Sequence, residues 1–309
     1  MTRRQYGRYG FESANEDKIF FPDSGIRKRR VIDYYERIAD VLLPHLRDRP
    51  LVLQRFPDGI EEEGFYQKQI GSHFPDWIDT VRVELRSANE AQTLVVCNKK
   101  ATLAYLADQG VLTLHPWLSR RDRLEHPDLL VIDLDPPEGR FELARRAALS
   151  VRRLLGELEL PGFPKLTGSK GIHVVVPLDR TADFDAVRDF ALRAMSLLEA
   201  RYPDELTTAP RKADRGDRVY LDVGRNAYGQ TAVAPWSLRP LRGAPIAVPV
   251  AWSDLERPGI GPRDYTLENV FRRIAQREDP WAKLRRRRRS LDRAEEALRK
   301  RIEIEAGGD

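Results

Sequence analysis

The feature that most constrains this chain is an uninterrupted apolar run that ends in two acidic residues. Residues 129–135 read Leu-Leu-Val-Ile-Asp-Leu-Asp, and Pro136 and Pro137 follow. The length and apolar content of this run predict a buried strand, which the prolines end. Because side chains alternate along a strand, Asp133 and Asp135 project from the same face. We therefore expect a buried strand that carries two carboxylates at its end.

The charge of the chain is unevenly distributed. The 309 residues include 53 basic and 48 acidic ones, which gives a net charge of +5 and a pI near 9.3. Residues 1–10 carry +3 and residues 283–309 carry +4, so residues 11–282 are slightly acidic, at −2. A basic pI often indicates a nucleic-acid partner. Here the positive charge sits at the two ends, so the overall pI alone does not establish one.

Hydropathy and cysteine content exclude several classes of protein. No apolar stretch approaches the roughly 18 residues that a membrane span needs, and the N-terminus lacks the apolar segment of a signal peptide. The single cysteine, Cys97, excludes an intramolecular disulfide and any zinc site built from several cysteines. We expect a globular cytoplasmic protein that has no membrane partner.

The hydrophobic pattern alternates between helix-like and strand-like segments without an internal repeat. It predicts an irregular lead of about twenty residues, helices over 27–46, 99–108, 141–158, 184–202 and 265–277, and strands over 51–53, 80–85, 93–96, 111–114, 129–135, 165–167, 172–177, 219–223 and 227–236. The composition changes only near residue 283, where five arginines at 285–289 lead into a charged helix. We expect one mixed α+β catalytic unit over 1–282 and a basic, charged helical tail over 283–309.

The acidic residues at strand ends suggest a metal site. Two carboxylates held close together repel unless a cation lies between them. Mg²⁺ and Mn²⁺ prefer such oxygen ligands, and Asp222 adds a third acid in the β-like run 219–223. Three acids suit a two-metal site for phosphoryl transfer. The alternative is an ordinary strand-end or turn role for the Asp-x-Asp pair.

A glycine-containing turn lies between the predicted strands 165–167 and 172–177. It reads Gly168-Ser169-Lys170-Gly171 and is followed by Ile172 and His173. Exposed backbone N–H groups, with Ser169, Lys170 and His173 as further donors, would suit a triphosphate. The spacing differs from that of a P-loop. The alternative is a simple hairpin with a surface lysine.

Three further residues are ambiguous when read alone. His115 follows a predicted strand and reads as a packed histidine. Arg225 and Arg239 flank a hairpin-like stretch, and either could clamp a phosphate, although most arginines in so basic a chain are surface residues.

The ordered combination of these motifs resembles the polymerase domain of the bacterial DNA ligase D family, a branch of the archaeo-eukaryotic primase superfamily. The resemblance rests on the acidic strand, the Gly-Ser-Lys-Gly-Ile-His segment, and Asp222 followed by Ala-Pro-Trp-Ser-Leu-Arg at 234–239. Further matching positions cover about 15–275 and include residues 17–22, 34–35, 38–39, 43–45, 49–50, 55–59, 64–68, 114–117 and 242–245.

The resemblance implies a fold and a set of roles. The fold would be a primase-polymerase α+β fold with an RRM-like catalytic sheet and a second, smaller β-rich half. In this family the matching acids hold two divalent ions, and the matching turn binds the incoming nucleotide together with further pocket residues. Carried over to this sequence, the metal ligands are Asp133, Asp135 and Asp222, and the nucleotide-binding residues are Ser169, Lys170, His173, His115, Arg239 and Arg225. The resemblance also assigns Lys18 and Lys28 to a DNA 5′-phosphate and Phe65 to stacking on a template base.

The implied function is template-directed nucleotidyl transfer that fills gaps and extends DNA ends in non-homologous end joining. The implied cofactors are two Mn²⁺ or Mg²⁺ ions, and the implied substrates are gapped or broken DNA and NTPs or dNTPs, with a ribonucleotide preference. Ku and an ATP-dependent ligase are the implied partners, at the bacterial nucleoid. The family commonly joins this domain to ligase and nuclease modules, which do not fit in 309 residues, so the sequence predicts a stand-alone relative or an excised domain.

Two other classes remain open from the sequence. A non-catalytic module that binds and bridges DNA ends would not need the acidic trio, because carboxylates oppose DNA binding when no metal is present. A metal-dependent nuclease would use the same acids but would leave the phosphate-binding turn unexplained.

Overall fold

The computed structural model describes residues 1–86 and 90–307, which form two compact units. The first unit comprises residues 1–124, 231–247 and 265–272. The second comprises residues 125–230, 248–264 and 273–309. The chain therefore passes between the two units several times.

The helices and strands follow the predicted order closely. The helices are α1 Lys28–Leu46, α2 Lys100–Asp108, α3 Phe141–Glu157, α4 Phe184–Arg201, α5 Trp252–Glu256, α6 Val270–Gln276 and α7 Asp292–Ala306. The strands are β1 Thr2–Tyr6, β2 Tyr9–Ser13, β3 Ile19–Phe21, β4 Ile26–Arg27, β5 Pro50–Arg55, β6 Phe65–Gln67, β7 Thr80–Leu85, β8 Glu90–Val96, β9 Val111–Pro116, β10 Leu129–Asp135, β11 Phe163–Leu166, β12 Ile172–Pro177, β13 Leu206–Thr207, β14 Val219–Asp222 and β15 Val248–Pro249. Short 3₁₀ turns occupy Lys212–Asp214, Gly224–Asn226 and Leu284–Arg287.

The first unit is built on a five-stranded sheet and helix α1. Strand β5 pairs antiparallel with β6, β8 and β9, and β7 pairs with β8. Helix α1 forms because apolar residues recur every three or four positions, and its buried stripe includes Val31, Tyr35, Ile38 and Leu42. Two small hairpins, β1–β2 and β3–β4, lie in the same unit.

The second unit is built on a six-stranded sheet in the order β13-β14-β10-β12-β11-β15. Strand β10 is central, since β12 and β14 pair with it antiparallel on its two edges. Helices α3 and α4 contact β10. The sheet thus confirms the predicted catalytic sheet, and a mixed α+β fold with a second β-rich part is observed.

Three local predictions are wrong. The N-terminal lead is a hairpin, in which Tyr6 pairs with Tyr9 across a turn where Gly7 has a positive φ of 61°. Residues 227–236 form no strand beyond an isolated bridge at Thr231, because Pro235 lacks an N–H and Gly229 turns the chain at φ 78°. The predicted helix over 265–277 begins only at Val270, in α6.

The described part of the chain contains no helix with the length and apolarity that a bilayer span requires.

Candidate active site

The three predicted acids meet on two neighbouring strands of the second unit. Asp133 on β10 lies directly opposite Asp222 on β14, and Asp135 lies two residues further along β10. One carboxylate oxygen from each residue falls within 4.8 Å of the others. The strand register therefore gathers three negative groups at one point.

The turn between β11 and β12 lies beside the end of β10. A Cβ atom on Gly171 would lie only 2.3 Å from the carbonyl oxygen of Leu134, so a side chain does not fit there. Gly168 has a φ of +68°, a left-handed conformation that L-residues rarely adopt. The two glycines allow the turn to approach the acidic strand, and this places Ser169 and Lys170 beside it.

Asp133 is buried and held by two basic groups. The Nε2 atom of His173 lies 3.4 Å from one of its oxygens, and the Nε atom of Arg225 lies 3.4 Å from the other. Burial by itself raises the pKa of Asp133, but His173 and Arg225 outweigh it and lower the pKa to about 2. Asp133 is therefore ionised at neutral pH.

The pKa of His173 is lowered, although the charge of Asp133 acts to raise it. Burial lowers its pKa, and the nearby positive charge of Lys165 acts in the same direction. Lys165 is 2% exposed and lies directly opposite His173 on β11, a buried cation that the sequence reading missed. A neutral imidazole can donate its Nε2 hydrogen to Asp133 and fix the orientation of that carboxylate.

Asp135 behaves in the opposite way from Asp133. Burial and the negative charge of Asp133 raise its pKa, although Lys170 opposes them with its Nζ atom 3.2 Å from the Asp135 carboxylate. Two neighbouring carboxylates with opposite pKa shifts carry an electrostatic cost that a cation relieves. Since all three ligating groups are carboxylates, the site fits hard divalent cations such as Mg²⁺ or Mn²⁺.

A cavity of about 610 Å³ opens next to Asp135. Ser169 and Lys170 line it, together with five cations that the sequence reading missed: Arg140, Lys212, Arg215, Arg218 and Arg263. The Nε atom of Arg263 donates to the Ser169 carbonyl oxygen at 2.9 Å. The sequence signal for Lys212, Arg215 and Arg218 is the density of basic residues over 211–218, which does not distinguish a pocket wall from a solvated surface.

The predicted 5′-phosphate lysines lie side by side in the first unit. The backbone N–H of Lys28 donates to the carbonyl oxygen of Lys18 at 2.8 Å. The ammonium group of Lys28 is largely buried against Asp108, with Nζ 2.7 Å from Oδ1, and Lys18 forms an ion pair with Asp58. Both lysines therefore have carboxylate partners within the unit.

The other predicted residues of the first unit are Phe65, His115 and Arg239. Phe65 is 46% exposed on β6, with the Arg55 guanidinium 5.4 Å from its ring centre. The neighbouring Tyr66 is 60% exposed, and its ring lies 5.6 Å from that of His115 on β9. Sequence reading named Phe65 but missed Tyr66. Arg239 is half-buried, and its backbone N–H donates to the Pro245 carbonyl oxygen at 2.8 Å.

The second unit thus brings together seven of the predicted residues: Asp133, Asp135, Asp222, Ser169, Lys170, His173 and Arg225. The other five, Lys18, Lys28, Phe65, His115 and Arg239, belong to the first unit. Three carboxylates on the central strands of a mixed sheet, beside a cavity walled by cations, have the arrangement of a divalent-metal site for phosphoryl transfer.

Comparison with known proteins agrees with this class. Residues 27–281 match the family described as LigD, primase-polymerase domain. The multifunctional non-homologous end joining protein LigD of Mycolicibacterium smegmatis is 32% identical over 290 residues, which cover 92% of this chain and 38% of the relative. The bifunctional LigD of Bacillus subtilis is 30% identical over 268 residues, or 86% of this chain and 42% of the relative.

A solved structure also matches. The polymerase domain from Mycobacterium tuberculosis ligase D, in complex with DNA, superposes with a TM-score of 0.84 at 30% identity and covers 90% of this chain and 99% of that domain. The chain belongs to the LigD primase-polymerase domain family. It spans about two fifths of the length of the LigD relatives described above.

Proposed function

We propose that this chain transfers nucleotides to the 3′ end of a DNA primer, directed by a template strand across a gap or break. The observation that carries the proposal is the acidic trio beside a cation-walled cavity. The trio suits divalent cations, and the cavity suits a triphosphate. A nuclease would need the trio but has no use for a triphosphate pocket.

In the proposed reaction the primer 3′-oxygen bonds to the α-phosphorus of the incoming nucleotide, and the bond to the β-phosphate oxygen breaks to release pyrophosphate. Lys170 and the cations of the cavity wall bind and orient the triphosphate, since lysine and arginine pair with phosphate oxygens. Ser169 and the backbone N–H groups of the turn add further donors. His173 and Arg225 hold Asp133 ionised and oriented.

Asp133, Asp135 and Asp222 would hold two divalent ions, either Mn²⁺ or Mg²⁺. When bound, such ions activate the attacking hydroxyl and neutralise the charge that develops on the leaving group. The three carboxylates supply the oxygen ligands, and Lys170 supplies a positive charge beside Asp135.

The residues of the first unit are proposed to contact DNA and nucleotide. Lys18 and Lys28 would bind a 5′-phosphate, since the two residues are hydrogen-bonded neighbours. Phe65 would stack on a template base, because its exposed ring offers a face for stacking. His115 and Arg239 would contact the incoming nucleotide.

The biological setting is inferred from the family. We infer a role in non-homologous end joining at the bacterial nucleoid, with a ribonucleotide preference and with Ku and an ATP-dependent ligase as partners. Residues 1–282 would form the catalytic unit, and residues 283–309 an appended tail.

The test is primer extension on a gapped, 5′-phosphorylated DNA with NTPs or dNTPs and Mn²⁺ or Mg²⁺. We expect wild-type protein to add the templated nucleotide and Asp133→Asn to slow extension by about 10³-fold or more, the scale of losing a key electrostatic group. Asp189→Asn is the matched control, because Asp189 is an exposed acid of the same unit that pairs with Arg193, and neither residue lines the cavity. The control should extend at nearly the wild-type rate.

Two outcomes would contradict the proposal. DNA binding without any incorporation would favour a non-catalytic end-bridging module. Shortening of the labelled primer without extension would favour a nuclease.

A further inference from the structure

The basic run that follows residue 282 differs from the charged helix that comes after it. Lys283 and Arg286–Arg289 are all exposed. Within the described residues none of these five side chains forms an ion pair with a carboxylate. Helix α7, which comes next, is as rich in charge, but there Lys300 pairs with Glu296 and Arg299 with Glu303. Unpaired, clustered cations cost free energy through mutual repulsion, so their retention points to an anionic ligand.

The run is also fixed to the sheet of the second unit. The Arg289 N–H donates to the Pro177 carbonyl oxygen, and the Asp179 N–H donates to the Arg289 carbonyl oxygen, both at 3.1 Å. A parallel bridge joins Arg289 to Leu178. The backbone that carries these cations is therefore ordered before any ligand binds, which lowers the entropic cost of binding.

Helix α7 holds the other end of the segment. Its Leu298 is fully buried, and its Glu295 and Glu305 pair with Arg193 and Arg201 of α4, with N–O distances of 2.7 and 2.6 Å. The paired charges of α7 thus attach the tail to the unit, and the unpaired charges of the run remain available.

The position of the run relates it to the catalytic acids. Strand β12 carries His173, which contacts Asp133, near one end, and Pro177, which binds Arg289, at the other. Four residues of strand cover about 13 Å, and one base pair of duplex rises about 3.4 Å. The backbone contact that holds Arg289 at Pro177 therefore lies about 13 Å along the strand from His173, a span of about four base pairs of duplex.

Not every cation of the run is equally suited to phosphate. Lys283 and Arg287 line a cavity of about 600 Å³ together with Glu278 and Asp279, whose carboxylates oppose an anion. Arg286, Arg288 and Arg289 lie outside that cavity.

We propose that Arg286, Arg288 and Arg289 form a second, sequence-independent contact with the phosphate backbone of the DNA on which the enzyme acts. This inference rests on the proposed polymerase function for the identity of the ligand. The run follows residue 281, where the family match ends, so the contact would add to the binding residues that the family resemblance assigns. Its effect would be to hold the enzyme on DNA between nucleotide additions.

The test is binding of fluorescent gapped duplex DNA to the full chain over a range of salt concentrations, in EDTA and without nucleotide. We expect the triple variant Arg286→Gln/Arg288→Gln/Arg289→Gln to bind about 10- to 100-fold more weakly at 0.1 M salt, with a slope of log K against log salt reduced by about 2 to 3. The matched control, Arg299→Gln/Lys300→Gln/Arg301→Gln, removes the same charge from cations that pair with glutamates. The control slope should stay close to that of wild type.

A charge-conserving variant separates charge from structure. Arg286→Lys/Arg288→Lys/Arg289→Lys should keep the wild-type slope, and thermal unfolding should show that all three variants are folded. Equal slopes for wild type and the Gln variant would overturn the inference. It would also be overturned if the Gln variant lost binding to phosphatidylserine vesicles while its DNA binding stayed unchanged. Failure of the polymerase proposal would be recognised separately. Wild-type protein would then not extend a primer, although the DNA-binding slopes of wild type and the Gln variant would still differ.

Discussion

Two clusters of charged residues in this protein are built on opposite principles. In the second unit Asp133, Asp135 and Asp222 bring like charges to one point, and the pKa of Asp135 is raised as a result. In the first unit opposite charges are already paired, as in the contact of Lys28 with Asp108. The paired charges of the first unit therefore stabilise its fold. The acidic cluster of the second unit is repulsive, and a bound cation would relieve that repulsion.

This difference separates charged residues that support activity from charged residues that support stability. Repulsion within a cluster of like charges lowers the stability of the fold, and such a cluster is kept where activity needs it. An ion pair of opposite charges contributes to stability instead. Substitutions should therefore have opposite effects in the two places. Stability and activity should therefore respond separately to substitutions in the two clusters.

The largest effect on stability is expected at Lys28. Lys28→Met leaves the buried carboxylate of Asp108 without its cation, and breaking one partner of a buried pair costs about 3–5 kcal/mol. Urea unfolding measures this loss. The double variant Lys28→Met/Asp108→Asn should recover most of it, because an amide is neutral and its oxygen still accepts from Ser13. If Lys28→Met were as stable as wild type, the contrast between the two charged clusters would be contradicted.

A smaller effect of opposite sign is expected at Asp135. Asp135→Asn removes one of the repelling charges, so in EDTA at neutral pH the free energy of unfolding should rise by about 0.5–2 kcal/mol, while primer extension is lost. The folded pKa of Asp135 is raised above its unfolded value, so ionising it destabilises the fold. The advantage of the variant should therefore build up as pH rises from the unfolded pKa to the folded pKa and stay constant above it.

Adding Mn²⁺ provides the control for that prediction. The metal should stabilise the wild type more than Asp135→Asn, because the variant offers fewer charged ligands. Equal stabilisation of both proteins, or a variant less stable than wild type in EDTA, would show that the cluster is not repulsive.

The smallest stability effect is expected at Lys18. Its pair with Asp58 is solvent-exposed, and such pairs contribute at most about 1 kcal/mol. Lys18→Met should leave unfolding almost unchanged but reduce the preference for 5′-phosphorylated over hydroxyl DNA ends by about tenfold, the value of one hydrogen bond to a charged group. Arg27→Met is the matched control, since Arg27 is similarly exposed and pairs with Asp17. An unchanged preference in Lys18→Met would remove Lys18 from the phosphate site.

Local pattern predicted the catalytic sheet well. The alternation of residues 129–135 places Asp133 and Asp135 on one face, and the glycines at 168 and 171 mark the turn beside them. The pairing of Asp133 with Asp222 depends on the register of two distant strands, which periodicity does not contain. The wall of Arg215 and Arg263 escaped prediction for the same reason: sequence shows how many arginines there are, and only tertiary packing shows which of them face a cavity.

The N-terminal hairpin shows a signal that was present but overlooked. Tyr6 and Tyr9 flank a two-residue turn that begins with Gly7, a pattern typical of a tight hairpin. The strong positive charge of the segment makes it look like an irregular tail. The carboxylates that neutralise Arg4 lie more distant in sequence, at Glu16 and Glu36.

That hairpin controls how available Lys28 is. Its last residue, Ser13, donates to Asp108, and the carbonyl oxygen of the next residue, Ala14, accepts from the Lys28 ammonium group. A chain shortened to begin after Ser13 would keep the lysine and its carboxylate but open both to water. The lysine would then hold its carboxylate less firmly and exchange it for a phosphate more readily. The end of the N-terminal hairpin thus helps to hold the buried pair of Lys28 and Asp108 in place.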